Sequence, residues 1–218
     1  MIPRTIDQNI GRYYGEFIYP YDGQSPPNRF FPTLGNHDWH TQDAQPYLDY
    51  FVLPGNERYY DFGWGPVDFF ALDSDPHEPD GITETSAQAT WLREKLADST
   101  APWKIVYMHH PPFSSGQHGS TSQLQWPYKE WGATAVIAGH DHSYERILRY
   151  GFPYFVNGLG GASGYPFGEA VSGSQVRYST DHGAMLVEAS SDRIVFRFYA
   201  RSGDLVDEYT LTANSPGS

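Results

Sequence analysis

Three apolar runs, Phe30 to Leu34, Ile105 to Met108 and Ala135 to Ala138, each end in a short polar block. The blocks are Gly35-Asn36-His37-Asp38, His109-His110-Pro111-Pro112-Phe113 and Gly139-His140-Asp141-His142. A short apolar run bounded by turn residues reads as a buried strand. Three such strands delivering polar side chains at their ends restrict the chain to α/β designs, whose ligands gather on one rim of the sheet. The blocks hold five of the nine histidines. Imidazole, amide and carboxylate groups meeting at such a rim point to a metal centre.

At 218 residues the chain is read as one domain with a real core, residues 1–212, followed by a disordered tail at 213–218. A formal charge of −12 and the lack of any Lys/Arg-rich run argue against nucleic-acid binding. Bound cations are then the natural source of positive charge for an anionic substrate. With no cysteine, disulfides, thiolate ligands and cysteine nucleophiles are excluded. No stretch approaches the roughly 20 apolar residues that span a bilayer, so no membrane partner is expected. The first residues lack the apolar core of a signal peptide. Oligomeric state is not legible.

The spacing predicts a helix over residues 8–19, ended by Pro20, and a short helix over Ala44–Phe51. Arg58–Phe62 and Val67–Asp73 read as paired strands across Gly63-Trp64-Gly65-Pro66. Thr85–Leu96 is the clearest helix, with Ala87, Trp91, Leu92 and Leu96 on one face and Thr83 or Thr85 as N-cap. Strands Lys104–Met108 and Ala133–Ala138 follow, with a short helix around Pro127–Trp131 between them, a parallel βαβ pattern. Pro153–Asn157, Gly183–Ala189, Arg193–Ala200 and Leu205–Leu211 predict an antiparallel or mixed second sheet. The glycine-rich run from Asn157 to Gly161 lets backbone approach something closely. Asp73, Asp75 and Glu78 read as a solvated turn, and His77 and His182 as surface or turn residues.

His140 and His142 share a face if extended and both reach inward from the turn after Gly139. Asn36 offers a neutral carbonyl oxygen, and His109 ends a strand before a stiff Pro-Pro turn. Asn36, His109 and His140 therefore form one partial coordination sphere, with His142 directed at a second ion. Asp38 and Asp141 are read as orienting loops or ligands.

These blocks resemble the later motifs of calcineurin-like metallophosphoesterases, and Gly139-His140-Asp141-His142-Ser143-Tyr144-Glu145-Arg146 resembles the purple acid phosphatase branch. The resemblance implies a four-layer αββα sandwich of two mixed sheets and a phosphoric ester hydrolase. It also implies a dinuclear centre of iron, zinc or manganese. Asn36, His109 and His140 would bind one metal and His142 the other, while His37 would contact the substrate phosphate. His118 falls where the branch places a histidine that protonates the leaving group. In the His-x-Pro pattern the first histidine is the ligand, which selects His109 and leaves His110 as the alternative. A secreted or periplasmic location is typical of the branch.

The family's Asp-x-Gly/His and Gly-Asp motifs precede the first block, and here only Asp7 and Asp22 lie among the 34 residues before it. Without the bridging carboxylate, two close cations repel strongly, so one weakly held ion and impaired hydrolysis are expected of the isolated chain. The first strands of the family fold are expected to be absent as well, leaving an apolar edge. The readings are a catalytic domain incomplete at its N-terminus, a non-catalytic binding module on a phosphatase scaffold, or a domain whose missing strands come from another chain.

Overall fold

A computed structural model describes residues 3–24 and 27–213. Its centre is a seven-stranded sheet in the order β1-β2-β3-β4-β6-β5-β7. The strands are β1 (Tyr60–Trp64), β2 (Val67–Ala71), β3 (Trp103–Met108), β4 (Ala135–Ala138), β5 (Tyr144–Arg149), β6 (Phe152–Asn157) and β7 (Ser174–Tyr178). β2, β3, β4 and β6 run parallel, so their C-terminal ends share one rim. β1, β5 and β7 join antiparallel. A second sheet, β8 (Gly183–Ala189), β9 (Arg193–Ala200) and β10 (Leu205–Thr212), is wholly antiparallel.

Alternation along the strands builds two cores. Phe70, Val106 and Val136 face α5 (Ala87–Asp98), which buries Ala89, Leu92 and Leu96 against them. Ile105, Ala135 and Phe155 face the other way, onto Ile194, Phe196 and Phe198 of the second sheet. Asp207 on β10 accepts from Tyr144 Oη at 2.8 Å and pairs with Arg146 at 2.7 Å, tying the sheets together. The two stacked sheets and the helical cover over the larger one match the expected sandwich, with the second sheet antiparallel rather than mixed. Among the described residues, the outward face of the smaller sheet has no cover: Leu186 there is 49% exposed.

The N-terminal helical run is irregular: α1 (Pro3–Ile6), a π turn (Asp7–Gly11), α2 (Arg12–Tyr14) and a 3₁₀ turn (Gly15–Phe17). α3 (Asn36–Trp39) and α4 (Gln45–Tyr50) complete the helices. Between this run and the sheet, Phe31, Phe62, Phe69, Tyr107 and Ile137 line an apolar cleft of about 590 Å³. Of the expected tail, 214–218 lie outside the described residues, and the Ala213 N–H donates to Asp192 O at 2.9 Å.

Several sequence expectations are corrected. Phe30–Leu34 is not a strand. Its carbonyls are taken by hydroxyls instead, Tyr47 and Tyr60 donating to Pro32 O and Tyr107 to Phe31 O. Pro32 has no N–H to give a ladder. The segment around Pro127–Trp131 is a single turn, and a 3₁₀ turn at Ser122–Leu124 precedes it. α5 is capped by Ser86, whose Oγ accepts from Ala89 N at 3.1 Å, rather than by Thr83 or Thr85. Ala87 is exposed, and buried Gln88 and Ala89 replace it on the packed face. Phe152–Asn157 joins the first sheet, and β5 and β7 carried no clear sequence signal.

Candidate metal centre

The parallel register decides the geometry. Met108 pairs with Ala138, so the residues that follow on β3 and β4 emerge side by side. The Gly139 N–H donates to His109 O at 3.0 Å. His140 then takes a left-handed backbone, φ +64°. Such a conformation in a non-glycine residue is uncommon and concentrates at functional sites. Asn36 arrives from the other side at the start of α3, where Gly35 packs on the His109 ring: a Cβ there would lie 3.0 Å from it. Asp38 Oδ2 accepts from Gly35 N at 3.0 Å and fixes that entry.

These elements bring three sequence-predicted donors together. His109 Nε2 lies 3.0 Å from Asn36 Oδ1 and 3.0 Å from His140 Nδ1. Bonds of about 2.1 Å at right angles place neighbouring ligand atoms about 3.0 Å apart, and this spacing matches that edge length. His110 joins the group, its donor within 4.8 Å of those of His109 and His140. Its Nδ1 is engaged at 3.0 Å by Ser74 Oγ, which leaves Nε2 free. The contact to Asn36 separates the two: His109 meets both Asn36 and His140, whereas His110 turns one nitrogen away to Ser74.

The imidazoles are held neutral. Burial, then the neighbouring His110, His140, His37 and His142, push His109 down to about 3. Burial and the charges of His110 and His118 push His140 down to about 4. His110 is lowered too, chiefly by burial, against the opposing pull of Asp75. A neutral ring keeps the lone pair that a metal needs.

The other predicted residues surround this group. The His118 ring lies 4.2 Å from that of His140, and its Nε2 is 3.2 Å from Tyr165 Oη. His142 stands outside the triangle, stacked on Tyr165 at 4.4 Å, with its Nδ1 3.1 Å from Ser163 O. His37 is exposed on α3, 6.2 Å from the equally exposed His40. Asp141 accepts from the His118 N–H at 2.8 Å and from Ser114 Oγ at 2.5 Å, a loop-orienting part as expected. Glu145 does the same for the loop at Ser115, accepting from its N–H at 2.7 Å and its Oγ at 2.6 Å. The glycines make room: a Cβ at Gly158 would lie 2.0 Å from Asp141 O, and one at Gly116 2.3 Å from the Asp141 carboxyl carbon.

The acidic group is not a solvated turn. Asp73, Asp75 and Glu78 are 0%, 2% and 4% exposed. Asp73 accepts from Trp39 Nε1 at 2.9 Å and so anchors α3 beneath the site. Glu78 pairs with Arg58 at 3.0 Å, and Asp75 with His77 at 2.6 Å. His77 is an exposed surface residue as expected, stacked on Trp39, and His182 lies against Leu159 O before β8. Reading the sequence missed Asp73, Ser74, Glu145 and Tyr165. No local pattern marks any of them, because each has a partner 25 or more positions away.

A parallel sheet edge bearing neutral nitrogen and amide donors at coordination spacing defines an α/β protein with a metal-type site. The chain belongs to the calcineurin-like phosphoesterase family, whose sequence model matches residues 5–144. Among curated relatives it is 31% identical over 94 residues to tartrate-resistant acid phosphatase type 5 of Oryctolagus cuniculus, covering 41% of this chain and 29% of that protein. It is 23% identical over 235 residues to purple acid phosphatase 7 of Arabidopsis thaliana, covering 95% and 71%. Among solved structures, a purple acid phosphatase from Lupinus luteus seeds superposes with TM-score 0.70 at 20% identity, over 91% of this chain and 39% of that one. The GAP50 anchor of the inner membrane complex of Plasmodium gives 0.68 at 22%, over 89% and 67%. These two likenesses show the fold. The chain spans less than a third of the length of the Oryctolagus relative.

Proposed function

We propose that this chain, as one catalytic domain over 1–212, hydrolyses phosphate esters with a metal ion held by Asn36, His109 and His140. The observation that carries the reading is the shared 3.0 Å approach of Asn36 Oδ1 and His140 Nδ1 to His109 Nε2. The donor set fits zinc, manganese or iron, being nitrogen and amide oxygen without thiolate. Such an ion supplies Lewis acidity and a hydroxide available near neutral pH. His37, exposed beside the group, binds the substrate phosphate. His118 gives its proton to the departing oxygen. His142 completes the metal side through a separate ring nitrogen, outside the triangle.

The isolated chain is a weak hydrolase. Among the described residues the potential metal-binding group is all histidine, with no carboxylate. The nearby acids are committed: Asp38 to Gly35, and Asp141 to Ser114 and His118. With neutral donors alone, a second cation a few ångströms away meets uncompensated repulsion. One ion is therefore the expected load, and a secreted or periplasmic location accompanies the reading. The same lack of carboxylate favours the alternative of a non-catalytic module, and one protein of this fold is described as an anchor.

Calorimetric titration of the purified chain with zinc and manganese, beside hydrolysis of p-nitrophenyl phosphate, separates the two. Uptake near one ion per chain with slow turnover, both lost in His140→Ala, is expected. Uptake without turnover selects the binding module; no uptake overturns both.

A further inference from the structure

The loop between β6 and β7 carries a side chain that the three motifs do not contain. Tyr165 touches the imidazoles of His118 and His142 and the backbone carbonyl of His140. Its ring stacks on His142 at 4.4 Å and 27°. Its hydroxyl lies 3.2 Å from His118 Nε2 and 3.5 Å from His140 O. Its own N–H reaches His142 O at 3.4 Å. The loop is seated closely there: a Cβ at Gly164 would lie 2.6 Å from Ser179 O and 3.2 Å from His142 O.

We propose that Tyr165 is a positioning residue that fixes the proton arrangement of His118 and, with Ser163, that of His142. The claim rests on the site reading above and extends it. A carbonyl oxygen only accepts. The tyrosine hydroxyl therefore sends its proton to His140 O and accepts from His118 Nε2–H. That leaves Nδ1 of His118 as the nitrogen that gains and gives up a proton at the substrate. By the same logic His142 Nδ1 must donate to Ser163 O, 3.1 Å away, so its Nε2 keeps the free lone pair. The stacked tyrosine ring holds that imidazole in place. Tyr165 thus sets which nitrogen of His118 faces the reaction and, together with the Ser163 carbonyl, holds the His142 ring with Nε2 free.

Tyr165→Phe keeps the ring and removes the hydroxyl; Tyr165→Ala removes both. In ¹⁵N-labelled metal-free chain, the His118 nitrogens of the wild type should show a protonated Nε2 and a bare Nδ1. In Tyr165→Phe the two shifts should converge, with His142 unchanged; in Tyr165→Ala both histidines should move. In the zinc-loaded protein, Tyr165→Phe should slow an alkyl phosphate, which needs leaving-group protonation, by about tenfold. It should leave p-nitrophenyl phosphate and zinc affinity nearly unaltered. Unchanged nitrogen shifts, or equal slowing of both esters, overturns the proposal. Should the wild type neither bind zinc nor hydrolyse either ester, the site reading falls, and the nitrogen shifts alone decide the part played by Tyr165.

Discussion

Two polar clusters sit at strand ends of the same sheet, a few residues beyond β2 in one case and beyond β3 and β4 in the other. The acidic one, Asp73, Asp75 and Glu78, is the more deeply buried and yet each of its carboxylates has a partner. Trp39, the Asp75 N–H, His77 and Arg58 meet its oxygens at 2.6 to 3.0 Å. The histidine one is half-buried, and its donors meet one another instead. His109 Nε2 faces Asn36 and His140 at equal distances, and one proton on that nitrogen serves a single neighbour at a time. Burial acts in both clusters, but with opposite meaning. It raises Asp73 above the usual carboxylate range and so removes a charge. It lowers His109 and His140 and so frees lone pairs. Unmatched donors, more than residue type, separate a ligand site from a structural brace.

Substitutions that strike one cluster should leave the other's property alone. His109→Ala should have the largest effect, cutting zinc affinity by roughly two orders of magnitude or more while the unfolding midpoint without metal stays close to wild type. Calorimetry and urea titration read the pair of outcomes; retained affinity would move the ligand role to His110. Arg58→Ala should do the reverse. It leaves Glu78, whose side chain is 0% exposed, without its counter-charge, and breaking such a pair costs about 3 kcal/mol, visible in urea unfolding with zinc affinity intact.

Asp73 sharpens the contrast through pH. A carboxyl raised in the folded state contributes stability that is full below its unfolded value of about 3.9 and is lost as pH rises through the folded value. Urea unfolding from pH 5 to 9 should thus show Asp73→Asn with a flatter decline than wild type; parallel curves would count against a raised Asp73. The smallest effect belongs to His77→Ala. Its side chain is 61% exposed, and an exposed pair is worth below about 1 kcal/mol. Metal uptake equal to wild type is the expected reading, and a loss like that of His109→Ala would break the division between the clusters.

α5 and the parallel core were legible because their signals are local. Leu92 and Leu96 recur at helical spacing, and Ile105 to Met108 and Ala135 to Ala138 are short apolar runs. The same locality misled at Phe30–Leu34, which has strand composition but meets hydroxyls where a neighbouring strand would be. It misled again at Thr83 and Thr85, since capping is decided by which hydroxyl faces the first free N–H, and that is Ser86. β5 and β7 were missed because Glu145, Arg146 and Arg177 break the apolar pattern. Their sheet pairing, and Arg146's partner Asp207, come from distant sequence.

Alone, the sequence determined which chemical groups are available, an amide at Asn36, imidazoles at His109 and His140 and no thiol, and that the two imidazoles follow strands. Tertiary structure alone decided that β3 and β4 are neighbours in parallel register, that Asn36 closes the triangle, and that Tyr165 reaches His118. It also decided that the acids beside β2 are taken by Trp39, His77 and Arg58. The reason is range. Residue type and periodicity act within a turn or a strand, whereas coordination spacing and counter-charge are set by strand order, which only the packed sheet fixes.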